Sequence, residues 1–217
     1  MTSKIQLAEQ QNYRNSTQRR IGLTGGIASG KSSICKFLSK AKGLPVLDAD
    51  IYAREVLAPG TSSTKAVFER YGNCVVNLNP NSPITLDRKA IAKIVFKSQQ
   101  ERLWLEKLVH PLIKQRLASE IASLHQSPIV VLMIPLLFEA KLTSFCNEIW
   151  LIDCEPEQQC KRLMSRDGLT KKEATARISA QWPMKGKRML SDVVIDNRGK
   201  PKEWRNQVNS LLEQNSA

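Results

Sequence analysis

Apolar positions along this chain keep two rhythms, and the change from one to the other marks out its elements. Arg20-Ile21-Gly22-Leu23-Thr24 is a short, mostly apolar run and predicts a strand. Ile34, Phe37, Leu38 and Ala41 then recur at helical spacing, with Gly43 placed to end the helix. Pro45-Val46-Leu47-Asp48 predicts a second strand, which runs out into Asp48-Ala49-Asp50, and a helical segment from Ile51 to Ala58 follows, closed by Pro59-Gly60. Ile129 to Ile134 is continuously apolar, the mark of an inner strand of a parallel sheet. Glu148 to Asp153 and Asp192 to Asp196 predict two more strands. Helices are expected over Pro156 to Ser165, from the capping box Thr170-Lys171-Lys172-Glu173 through Ile178, and around Trp204, Val208, Leu211 and Leu212.

Between the second and third strands lies a long stretch, roughly 61 to 126, with no strong strand. Val67, Phe68 and Tyr71 give a short helical face before Gly72, and Asn77 to Pro83 reads as a loop. Leu86, Ala90, Ile91, Ile94 and Val95 form a helical stripe. Leu103, Leu105 and Leu108 form another that should end before His110-Pro111, after which Leu112, Ile113, Leu117, Ile121 and Leu124 start a further helix. The stretch is too long for a plain crossover and reads as a helical subdomain inserted into an open α/β fold with a five-stranded parallel sheet. Ligands of such a sheet sit at its carboxyl edge.

At 217 residues, 41% hydrophobic and 24% charged, the chain suits one soluble domain with insertions. No apolar run approaches the ~20 residues of a membrane helix. Residues 1 to 19 are polar, lack the apolar centre of a secretory signal and read as a mobile tail. The five cysteines, Cys35, Cys74, Cys146, Cys154 and Cys160, form no C-x-x-C pair, which argues against a disulfide framework or zinc site and for reduced thiols in the cytoplasm. The net charge of +13 suits nucleic acid and polyphosphorylated small molecules alike and does not choose between them.

Chemistry concentrates in Gly25-Gly26-Ile27-Ala28-Ser29-Gly30-Lys31-Ser32, which fits the phosphate-cradling pattern G-x-x-x-x-G-K-S/T between a strand and an amphipathic helix. Glycines let successive N–H groups face one anion, and the helix N-terminus adds partial positive charge. The loop is expected to bind phosphate, with Lys31 reaching the β- and γ-phosphates and the Ser32 hydroxyl helping to hold Mg²⁺. Asp48 and Asp50 follow the neighbouring strand: one could accept a proton and the other order metal-bound waters, or the pair could simply cap a helix. Arg162 and Arg166 share a helix face, and Arg177 follows on the next helix, as in a lid closing on phosphates; from the arginines alone, a solvated face paired with Asp167 or Glu173 is the better reading. His110 alone reads as structural, and Pro135-Leu136-Leu137-Phe138-Glu139 reads as a turn plus a buried helix start, with Glu139 near the helix N-terminus. The third strand ends in Pro135 rather than a Walker-B aspartate, and no N/T-K-x-D element is present, which disfavours motor ATPases and GTPases and leaves a small-molecule kinase.

The chain resembles the dephospho-coenzyme A kinase family. The resemblance rests on Ile21 to Ser32, on Asp48-Ala49-Asp50-Ile51-Tyr52-Ala53-Arg54-Glu55-Val56, on His110-Pro111, on Pro135-Leu136-Leu137-Phe138-Glu139, on Arg166-Asp167-Gly168-Leu169, on Ala180-Gln181-Trp182-Pro183 and on Asp192 to Asn197, in that order. It implies ATP-dependent phosphorylation of the ribose 3′-hydroxyl of dephospho-CoA, a P-loop fold, and one kinase domain over 20–212. The core would comprise 20–51, 127–155 and 187–212, the CoA-binding insertion 52–126 and the lid 156–186. It implies Asp50 as base, Lys31, Arg162 and Arg166 as charge-stabilising groups, Gly26, Ile27, Ala28, Ser29, Gly30, Ser32, Ser33, Arg166 and Arg177 around ATP, and Asp48, Asp50, Arg54, His110 and Leu137 around the acceptor. No membrane or nucleic acid partner is implied, and the protein would act as a monomer or small homo-oligomer. Two departures stand out: Ala28 occupies a usual glycine position, strained only if its φ is positive, and Trp182 replaces a more common methionine.

Overall fold

The computed structural model describes residues 18–77 and 84–214. In chain order these form β1 (Arg19–Gly25), α1 (Lys31–Lys42), β2 (Val46–Asp48), α2 (Ala49–Val56), α3 (Ser62–Tyr71), β3 (Val76–Asn77), β4 (Thr85–Leu86), α4 (Arg88–Lys97), α5 (Gln99–Ser123), β5 (Ile129–Met133), β6 (Glu148–Asp153), α6 (Pro156–Asp167), α7 (Lys171–Ser179), α8 (Met184–Met189), β7 (Val193–Asp196) and α9 (Pro201–Glu213). Two compact units result: the chain up to Asp48 together with Ile121 onward, and Ala49–Glu120. The family resemblance implies these boundaries at 51/52 and 126/127.

The first unit carries the expected sheet, in the order β2-β5-β1-β6-β7 with every pairing parallel. Parallel strands put their carboxyl ends on one edge, so Gly25, Asp48, Met133, Asp153 and Asp196 all end there. Alternate residues point to opposite faces. Ile21 and Leu23, Val131 and Met133, and Trp150 and Ile152 share one cluster with Ile34 and Leu38 of α1 and Trp204 and Val208 of α9. Phe37 meets Trp204 edge-to-face at 5.5 Å. On the other face of β1, Gly22 leaves room for Cys146 and Leu137: a Cβ there would stand 2.5 Å from Cys146 Sγ.

Residues 1–17 of the predicted tail lie outside the described residues, but Gln18 and Arg19 are structural. Gln18 is 8% exposed and donates to the carbonyls of Leu124 and Ser127, and Arg19 opens β1 and pairs with Glu148 at 2.6 Å. The helix start expected after Pro135 is absent. Residues 135–141 make successive turns instead, with Lys141 at φ 53°, and Thr143–Phe145 forms a single 3₁₀ turn.

The second unit is helical, with β3 and β4 pairing antiparallel; of the predicted loop at 77–83, Asn77 belongs to β3 and the remainder lies outside the described residues. Leu86 stands in β4 rather than in the following helix, because Asp87 caps α4 by accepting from the amides of Lys89 and Ala90. Val67, Val75, Leu86 and Ile91 make the core, with Trp104 packed edge-to-face on Tyr71 at 5.6 Å. The predicted break at Pro111 is absent, and α5 continues through it. A mid-helix proline costs about 3 kcal/mol, but Ile113 and Leu117 are buried beyond it while Trp104, Leu105 and Leu108 pack before it. Each such side chain contributes about 1.5–3 kcal/mol, enough to carry the helix across.

Candidate active site

The loop from Gly26 to Gly30 joins β1 to α1 at the carboxyl edge of the sheet. Its shape is enforced by neighbours. A Cβ on Gly26 would stand 2.1 Å from Gln159 Nε2, and one on Gly30, whose φ is 103°, would stand 2.1 Å from Asn197 Nδ2. Asn197 Nδ2 also donates to the Ser29 carbonyl at 2.7 Å, so the residue after β7 grips the loop.

The loop amides fall into two groups. The Ser29 N–H closes on the Gly26 carbonyl, the Ser33 and Ile34 N–H groups close on the Gly30 carbonyl, and the Ile27 N–H donates to Gln181 Oε1 at 2.8 Å. The N–H groups of Ala28, Gly30 and Ser32 have no partner among the described residues. Ser29 Oγ, 1% exposed, likewise has none. Three unengaged amides at a helix N-terminus present donors and the positive end of a helix dipole, an arrangement suited to an anion. Lys31 is 8% exposed and lies along the loop, donating through Nζ to the carbonyls of Gly25 and Gly26, both at 2.8 Å. Ala28 takes φ 58°, the left-handed region, so the departure from glycine does carry strain.

Asp48 ends β2 opposite Met133. The Cys35 thiol is pushed up to about 12, first by burial and then by the negative charge of Asp48, against the pull of Lys31. Both charges therefore act on one buried atom of α1. Asp50 is exposed in the first turn of α2, where the second unit begins. Within that unit Arg54 is exposed in the last turn of α2, and His110 is partly buried within α5. Burial, chiefly, holds the His110 imidazole below the usual histidine range, with Lys114 acting in the same sense and Glu106 opposing. Leu137 is wholly buried in the core of the first unit.

The predicted lid helices form. Gly168 closes α6 in the left-handed conformation, and Thr170 and Glu173 make the reciprocal capping box of α7. Arg166 and Arg177 both pair with Asp167, at 2.7 and 3.0 Å, and hydrogen bonding from Arg166 holds that carboxyl below its ordinary range. Arg162 is placed differently. It donates to the Asn197 carbonyl at 3.3 Å, and its charge acts with that of Lys31 on the Cys154 thiol.

Several groups at this edge escape the sequence reading. Asp153, buried at the end of β6, receives Arg188 and, at 2.9 Å, Arg198. Glu139 Oε1 accepts the Trp182 N–H at 3.1 Å and lies 2.7 Å from Nζ of the fully buried Lys187, so it ties two chain segments together rather than starting a helix. Gln181 and Asn197 lie within quoted motifs, yet only the fold shows what they touch. Among the described residues, no cluster of three or more His, Cys, Asp or Glu side chains is arranged to hold a metal, and no helix is long and apolar enough to cross a membrane.

The family model of dephospho-CoA kinase matches residues 19–203. The chain belongs to the dephospho-CoA kinase family. It is 56% identical over 194 residues to the dephospho-CoA kinase of Prochlorococcus marinus strain MIT 9313, an alignment covering 89% of this chain and 95% of that protein. The crystal structure of TT1252 from Thermus thermophilus superimposes with a TM-score of 0.78 at 30% identity, over 92% of this chain and 99% of that one. A dephospho-CoA kinase from Campylobacter jejuni shares the fold, with a TM-score of 0.66 at 24% identity and coverage of 90% and 96%. The five-stranded parallel sheet with its loop is thus the P-loop kinase fold of the dephospho-CoA kinases.

Proposed function

We propose that this protein transfers the γ-phosphoryl group of ATP to the ribose 3′-hydroxyl of dephospho-CoA, giving coenzyme A, in the cytoplasm. The observation that carries the reading is the set of three unengaged amides, Ala28, Gly30 and Ser32, beside Lys31, in a chain of the dephospho-CoA kinase family. The amides receive the phosphates, and Lys31 exchanges the carbonyls of Gly25 and Gly26 for phosphate oxygens. Asp50 accepts the proton of the acceptor hydroxyl. Arg162 offsets charge on the transferring group, and Arg166 and Arg177 join it by exchanging Asp167 for phosphate. Arg54 and His110 belong to the acceptor-binding insertion.

Mg²⁺ suits the donors present: the exposed Ser32 hydroxyl and the Asp48 carboxylate are hard oxygen ligands, and they would hold it together with waters and phosphates. When bound, it neutralises phosphate charge. Segment 156–186 acts as the lid and keeps water from competing with the acceptor.

ADP release measured across a panel of acceptors tests the reading. Turnover should depend on dephospho-CoA, with nucleosides, nucleotides, RNA and DNA inert. Faster turnover with any of these would overturn it.

A further inference from the structure

We propose that Gln181 reads the terminal phosphate of the bound nucleotide. This rests on the nucleotide-binding reading of the loop. The Ile27 N–H can only donate, so the oxygen of the Gln181 carboxamide must be the atom facing it, at 2.8 Å. That orientation leaves Nε2 with two hydrogens to give, and Nε2 has no acceptor among the described residues.

The position within the loop decides what those hydrogens meet. Ile27 immediately precedes Ala28, the first of the three unengaged amides. Lys31 Nζ rests on the carbonyls of Gly25 and Gly26, so its ammonium marks this end of the loop as the one taking the outer phosphates. The carboxamide therefore stands at the γ-phosphate end of the cradle, away from the helix end that Ser32 marks.

The side chain is also held still. Its neighbour Trp182 gives its N–H to Glu139 and stacks its ring on Phe138, with centroids 6.5 Å apart and planes 9° apart. Glu139 in turn sits against the buried ammonium of Lys187. Contacts from Phe138 and Glu139, the latter itself held by Lys187, thus fix the backbone beside Gln181, which a plain linker between α7 and α8 would not require.

A simple peg tying the loop down would work as well with a carboxylate, which accepts from the Ile27 N–H more strongly than an amide does. A phosphate reader would not, because the carboxylate repels the anion and has no hydrogen to give. Calorimetry on the full chain with Mg²⁺ separates the two, using ADP and an ATP analogue with an imido β–γ bridge. Gln181→Glu should weaken the analogue about a hundredfold while leaving ADP within about twofold. Gln181→Ala should weaken the analogue about tenfold, again sparing ADP. Gln181→Glu should melt like wild type, and Gln181→Ala within about 4 °C of it, the cost of one lost hydrogen bond. If Gln181→Glu binds both nucleotides like wild type, or weakens both equally, Gln181 is only a tether and the inference fails. If the wild-type protein binds neither nucleotide, the reading of the loop fails first.

Discussion

Asn197 Nδ2 donates to the carbonyl oxygen of Ser29 at 2.7 Å, joining residues 168 apart in sequence. The same nitrogen fills the space where a side chain on Gly30 would begin. The loop is thus shaped from outside as well as by its own glycines. Gly30→Ala would meet this contact and an unfavourable φ of 103° at once. It should lower nucleotide affinity at least tenfold, read by calorimetry. Asn197→Ala removes the grip without the clash and should cost about 1 kcal/mol of stability in urea unfolding.

Ala28 gives a prediction of opposite sign. An L-residue in the left-handed region costs roughly 1–2 kcal/mol, while glycine gives back about 0.5–1 kcal/mol through the freedom of the unfolded chain. Ala28→Gly should therefore be neutral or stabilising by up to about 1.5 kcal/mol, seen as an equal or higher urea midpoint. A clear drop in the midpoint would mean that the methyl group packs usefully.

Thiol reactivity reports the burial of the loop helix. Burial, above all, pushes both Cys35 and Cys146 up to about 12, and it raises Cys154 as well. Cys74 is exposed. Iodoacetamide near neutral pH, followed by mass spectrometry, should label Cys74 first and reach Cys35 and Cys146 only after denaturant is added. Rapid labelling of Cys35 in the native protein would show that α1 lifts from the sheet.

The second unit has a built-in acid sensitivity. Hydrogen bonds from Arg70, and then from Tyr71, hold Glu101 down at about 2, against an ordinary value of 4.5. A depressed carboxyl stabilises the fold above its unfolded value, and the contribution fades as pH falls from about 4.5 through 2. Wild type should exceed Glu101→Gln in urea midpoint at pH 6, and the gap should narrow between pH 4 and 3. A gap that stays constant with pH would assign the difference to packing instead.

What the sequence discloses is what acts locally. The loop is legible because its glycines, Lys31 and Ser32 lie within eight residues, and the capping box of Thr170 and Glu173 because its partners are three apart. The five strands are legible because parallel strands buried on both faces are continuous apolar runs, as in Glu148–Asp153. The contacts that shape the site span the chain. Gln181 meets Ile27 and Glu139 meets Lys187 only after the sheet has brought them together. The passage of α5 through Pro111 has a similar cause: tertiary burial outweighs a local rule. Arg166 and Arg177 are a case where the local reading holds, since the sequence offers Asp167 or Glu173 as their partner and both pair with Asp167.

The most direct measurement is ³¹P NMR of the products formed from ATP and dephospho-CoA by wild type, Lys31→Ala and Asp50→Asn. Wild type should convert the two substrates to ADP and a new phosphomonoester at the ribose 3′ position, one for one. Both variants should slow that conversion by about 10²-fold or more. Release of inorganic phosphate without the new ester, or variants that keep pace with wild type, would contradict the account.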